Sequence, residues 1–215
     1  KTYTDGLKYL GMKFDETRSQ PFEGSSGVVH PILAEAVTQF QAQAYKEMLP
    51  AKGPVKTEIV GARTIDTENQ AERVQEFMNY YIMNEMDEYD PELDQMLFYL
   101  PLAGSAFKKV YYDENLQRPV SKFIAPEDLI VPYYTTDLES CPRITHLIKM
   151  PENDVKKLQA IGFYKRTELE PGEEPSNYSS LDTEKEKLEG IEPGGASDEI
   201  CVLYEVHCNL DLEAC

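Results

Sequence analysis

Tryptophan is absent, and cysteine, histidine and cations are scarce. The 215 residues hold four Cys, three His and 21 Lys or Arg against 39 Asp or Glu. The net charge of −18 opposes tight binding to phosphate backbones, because few cations exist to displace counterions. Cys141, Cys201, Cys208 and Cys215 form no C-x-x-C pair, so zinc-ligand spacing is missing and reduced, scattered thiols are expected. Cys201 and Cys208 would point to opposite faces of a regular strand. No apolar run is long enough to cross a membrane as a helix, and no membrane partner is expected. G-x-S-x-G, H-E-x-x-H and a phosphate-cradling glycine loop are all missing. His30, His146 and His207 lie far apart, and His146 with Cys141 carries no catalytic spacing. His30 reads as a helix cap, the other two as structural strand residues. The expectation is a protein that is not an enzyme, with no catalytic residue, cofactor or metal ligand.

What is present centres on Tyr89–Tyr112. Asp90 reads as an N-cap and Pro91 as a first helical residue. Leu93, Met96, Leu97 and Leu100 make one apolar stripe, so Leu97 and Leu100 are expected in the core. Pro101 should kink or stop this helix near Leu100, before the small residues Ala103 to Ala106. From Phe107 the residues are strand formers.

Around it, the spacing predicts a helix over Val28–Leu49 with Ile32, Ala36, Phe40, Ala44 and Met48 inward. Val55–Val60 alternates like a half-buried strand. A second long helix is expected over Thr67–Met86, capped by Thr67 with Gln70, burying Ala71, Val74, Met78, Tyr81 and Ile82. Strands are expected at Phe107–Asp113, Pro119–Ile124, Arg143–Met150 and Ile200–Leu212, with a short helix through Val155, Leu158 and Ile161 ending at Gly162. Helices come early and strands in the middle. This predicts an α+β fold of long amphipathic helices on a mixed, mainly antiparallel sheet. The layout reads as an arm and loop (1–27), a helical and sheet core (28–164), an acidic surface loop (165–199) and a closing strand (200–215). The acidic loop has too little apolar surface to offset its ordering entropy. The first residue is Lys1 and the last residues read as a running strand, which suggests part of a longer polypeptide.

Two features invite a functional reading. Carboxylates crowd the helix junction from Glu85 to Asp94, but without calcium-loop spacing. A metal-dependent enzyme using residues 87–94 is one alternative; helix-start charges on a solvated bend are the simpler account. Fourteen tyrosines suit surfaces with one dry and one wet side, including subunit interfaces and half-buried core positions.

Four runs carry a resemblance. They are HPILAEAVTQFQAQAYKEMLPAKGPVKTEIVG (His30–Gly61), PELDQMLFYLPLAGSAFKKVYYD (Pro91–Asp113), IAPEDLIVPYYTTDLESCPRITHLIKM (Ile124–Met150) and YEVHCNLDL (Tyr204–Leu212). In this order they resemble the portal, or head-to-tail connector, proteins of tailed bacteriophages, particularly the short-tailed type. The resemblance implies the wing region of a subunit that forms a homo-oligomeric ring, typically a dodecamer, at one capsid vertex of the virion. It also implies the partners: terminase, the major capsid protein, tail adaptor or head-completion proteins, and double-stranded DNA passing the channel without sequence specificity. A ring contact is head-to-tail, so acidic copies need their few cations at the joints. Arg63, Arg73, Arg118 and Arg143 are the candidate cations, facing Asp137 and Glu139 of the neighbour. A generic cytosolic interaction module is the second alternative.

Overall fold

The computed structural model describes residues 2–11, 22–25, 30–168 and 200–210. The acidic loop from 169 onward, Cys215, and Ser26 and Gly27 lie outside them. Two compact units divide the chain, Arg18–Pro126 and Lys1–Thr17 with Glu127–Cys215. The 28–164 stretch contributes to both. Four α-helices precede the first strand and the strands pair antiparallel, with one further helix before the last strand, which makes the fold α+β. In place of one mixed sheet there are two sheets, both antiparallel among the described residues.

In the unit Arg18–Pro126, helix α2 (Ile32–Met48) packs on helix α4 (Tyr89–Ala103), and α4 packs on the hairpin of β1 (Phe107–Asp113) and β2 (Arg118–Ile124). Leu49, Leu93 and Leu97 form the core cluster, with Ala44, Tyr45, Tyr89 and Met96 packed against it. Leu93 and Leu97 are each 1% exposed, whereas Leu100 is only half-buried, so Leu93 rather than Leu100 is the second core leucine. The inward face of α2 also differs from the expected row. Ile32, Phe40 and Met48 are exposed, while Val37, Gln41, Ala44 and Tyr45 are covered. A strict step of four overshoots a full turn by ~40°, so that row spirals round the helix instead of holding one face.

The ends of these helices also depart from expectation. Pro31, not His30, precedes α2 as its cap residue, and no side chain caps it. Helix α4 begins one residue before Asp90, whose carboxylate accepts the Tyr45 hydroxyl at 2.5 Å instead of capping. Pro101 does not stop α4. It lies on the exposed side of the helix, so its ring meets solvent and not the packed face. The helix closes at Gly104, in the left-handed region at φ 78°, whose N–H reaches Leu100 O at 2.9 Å.

Helix α3 (Ile65–Tyr80) starts earlier than expected because Thr64, not Thr67, caps it. The Thr64 hydroxyl accepts the Thr67 N–H at 3.3 Å, and the Thr67 hydroxyl accepts the Thr64 N–H at 2.9 Å. The helix then widens into a π-helical turn, Tyr81–Glu85, closed by Met86 N–H to Tyr81 O at 3.1 Å. The expected strand Val55–Val60 is not a strand, and none of the described residues pairs with it as one. Helix side chains satisfy it instead. Asn79 accepts the Val55 N–H at 2.9 Å and donates to Val55 O at 3.1 Å, while Gln75 accepts the Thr57 N–H at 3.2 Å. The face of α3 turned to this segment is therefore Thr67, Ala71, Gln75 and Asn79, and Val74, Phe77 and Met78 are left exposed.

The other unit holds α1 (Thr2–Leu10), a short 3-10 turn (Pro126–Asp128), β3 (Leu129–Ile130), β4 (Arg143–Pro151), α5 (Glu152–Ile161) and β5 (Ile200–Cys208). The sheet order is β3-β4-β5, with His146 opposite both Leu129 and Glu205. Helix α5 buries Val155 and ends at Gly162 as expected, but Ile161 is exposed.

Candidate subunit interface

The acidic junction is a set of internal ties. Asp94 accepts the Gln41 amide at 2.6 Å and Asp90 accepts Tyr45, so both fasten α2 to α4. Glu92 accepts the Phe123 N–H at 2.6 Å, fastening α4 to β2. Glu88 takes Arg118 in an ion pair of 2.7 Å, with both side chains about one-fifth exposed. The Arg118 hydrogen bond holds the Glu88 carboxyl below its ordinary value, against the opposing pull of burial. Tyr45 is pushed up by its bond to Asp90. Burial pushes Lys108 down; its ammonium sits 3.8 Å from the centre of the Tyr89 ring. Among the described residues no group of His, Cys, Asp or Glu is arranged to hold a metal ion.

Arg118 thus has a partner within its own chain. Arg63, Arg73 and Arg143 are exposed. Arg63 immediately precedes the Thr64 cap, Arg73 lies in α3, and Arg143 opens β4 opposite Cys208. Asp137 and Glu139 lie in the exposed connection between β3 and β4. Asp137 organises a turn there, accepting the Ser140 N–H at 2.8 Å and its hydroxyl at 2.6 Å. Those bonds hold its carboxyl below the usual range.

Two exposed apolar surfaces carry these charges. On α3, Val74, Phe77 and Met78 with Gln70 and Arg73 line a shallow groove of about 280 Å3. Phe77 is 62% exposed. In the β3–β4 connection, Pro132 O accepts the Thr135 N–H at 3.0 Å, a turn that carries Tyr133 and Tyr134 on its tip. Tyr133 is fully exposed and Tyr134 is 77% exposed. The base of the connection is tied by Thr135 and Cys141 side chains at 3.5 Å and by the Cys141 thiol donating to Arg143 O at 3.0 Å. Periodicity alone assigned Val74 and Met78 to the interior. The signal that would have exposed them is Thr67, Gln75 and Asn79, a polar stripe able to hydrogen-bond a neighbouring backbone.

The Cys141 thiol is occupied as above, and His146 faces Glu205 at 3.5 Å. Glu205 also meets His207 at 2.9 Å, so the sheet register unites two histidines that are distant in sequence. No helix among the described residues is long and apolar enough to cross a membrane. No known protein-family model matches the chain, and no curated protein matches it.

Proposed function

We propose that this chain is the wing portion of a phage portal subunit: a structural, non-enzymatic protein whose copies close into a ring at one capsid vertex. DNA would be packaged and ejected through that ring, on which terminase and then tail adaptors dock. The observation that carries the reading is the ordered set of four resembling runs, His30–Gly61, Pro91–Asp113, Ile124–Met150 and Tyr204–Leu212. Three features support it. Monomers seldom expose contiguous aromatic and aliphatic groups such as Phe77 with Val74 and Met78, or Tyr133 with Tyr134. Glu88, Asp90, Glu92 and Asp94 of the helix junction are engaged by protein donors, which favours a structural role over metal chemistry. The acidic surface suits a conduit from which DNA must release.

Native mass spectrometry and negative-stain imaging of the full-length protein test this. A closed ring of identical subunits is expected. A protein that stays monomeric across the micromolar range under assembly conditions overturns it and leaves a small interaction module in its place.

A further inference from the structure

We infer that α4 stands in for a third strand beside the β1–β2 hairpin, and that Glu88 and Glu92 close the outer edge of β2 to strand addition. In an antiparallel pair, successive residues turn their N–H groups alternately toward and away from the partner strand. The Phe123 N–H goes to the Glu92 carboxylate at 2.6 Å, so it points away from β1. Alternation turns Ser121 and Pro119 the same way, and Val120, Lys122 and Ile124 toward β1. All three outward positions are accounted for. Phe123 is held by Glu92. The Ser121 N–H faces Glu88: that carboxyl is held low chiefly by Arg118, and the Ser121 N–H adds to the effect. Pro119 has no N–H to offer.

The spacing explains why a helix can do this. Residues four apart on a helix stand ~6 Å apart along its axis. Residues two apart on a strand stand ~6.8 Å apart. Glu88, at the cap of α4, and Glu92, in its first turn, therefore step nearly in register with Ser121 and Phe123. Helix carbonyls are committed to the helix's own ladder, so side chains must supply the acceptors. The need arises from burial, since Val120 and Ser121 are each 2% exposed although they point to opposite faces of β2. A carboxylate accepts and cannot donate, so a strand brought to this edge would set its carbonyl oxygens against carboxylate oxygens. A two-stranded hairpin needs a further packing partner to be stable, and α4 supplies one without creating a new edge. On the other side of the hairpin, the outward groups of Lys108, Val110 and Tyr112 have no strand partner among the described residues. Growth of this sheet is thereby confined to β1. The closure of β2 is internal to one copy and does not depend on the portal reading.

The test compares two pairs of substitutions in the full-length protein. Glu88→Ala with Glu92→Ala removes both acceptors. Glu88→Gln with Glu92→Gln keeps an acceptor oxygen at each position and removes the charge. Amide exchange at Ser121 and Phe123 should rise at least about tenfold in the alanine pair relative to Val120 and Lys122, the scale of one lost hydrogen bond. The glutamine pair should stay close to wild type. The alanine pair alone should gain edge-to-edge growth, read as concentration-dependent light scattering with thioflavin binding. Should it lose its helical circular dichroism, Glu92→Ala alone keeps the Glu88–Arg118 pair and gives the same readings at Phe123. Unchanged exchange at Ser121 and Phe123 in the alanine pair overturns the inference. Faster exchange without added association also overturns it, because the edge is then open and still does not pair. A glutamine pair that associates as strongly as the alanine pair overturns it too, since loss of charge and not loss of the acceptors would then be responsible.

Discussion

Leu97 shows how a single side chain carries the interior of its unit. It is 1% exposed and packs in the cluster of Leu49 and Leu93. Leu97→Ala should cost about 2–5 kcal/mol, the lost transfer energy plus the cavity left between α2 and α4. Chemical denaturation reads this directly, and a loss below about 0.5 kcal/mol, the scale of surface changes, would contradict the placement. Glu88 supplies the pH dependence. Its carboxyl is held below the ordinary value of 4.5 by Arg118. A depressed folded-state value means that the stabilisation is complete above the unfolded value and is lost as pH falls through the lower, folded one. Glu88→Gln should therefore flatten the acid limb of the stability profile below about pH 4.5. Denaturation midpoints of wild type and variant should converge as the pH is lowered through that limb; a constant gap would remove the pair as its source.

At the scale of elements, the part most legible in the sequence was what depends on local chemistry. The β1–β2 hairpin, the C-terminal glycine of α5 and the leucine stripe of α4 follow from strand formers, a left-handed glycine and spacing of three and four. What was not legible depended on partners distant in the chain. Asp90 is a good cap by type, yet Tyr45 takes its carboxylate. Val55–Val60 alternates like a strand, yet its ladder is made by the side chains of α3. The exposed groove was hidden for the same reason, since a polar stripe on α3 turns inward and leaves the apolar one outside. Asn79 is the test of this arrangement. It makes both bonds to Val55, and a Cβ on Gly53, which sits at φ 91°, would overlap its side chain. Asn79→Ala should cost about 1–2 kcal/mol and should raise amide exchange at Val55 before exchange in the α2–α4 core. Unchanged protection at Val55 would show that another group holds the segment.

For the whole molecule, charge decides what the surface can touch. Cations are outnumbered 21 to 39, and at least one of them, Arg118, is committed to an internal pair. Binding to duplex DNA draws its strength from cations that displace counterions, with each neutralised phosphate steepening the salt dependence by ~0.9 in log–log slope. A protein of net charge −18 brings long-range repulsion instead, screened only beyond about 8 Å at physiological ionic strength. Its aromatic side chains cannot reverse this, since base stacking works on unpaired strands and is normally accompanied by a basic groove. The same repulsion acts between copies, so any contact between them has to draw on apolar area such as that at Phe77. These two consequences separate experimentally. In a fluorescence-anisotropy titration with a labelled duplex at physiological salt, the protein should bind more weakly than about 1 μM, with no preference among sequences and a shallow salt slope. Sub-micromolar binding with a steep slope would require a basic stripe that the sequence does not contain, and would overturn the view that this acidic surface lets DNA pass without holding it.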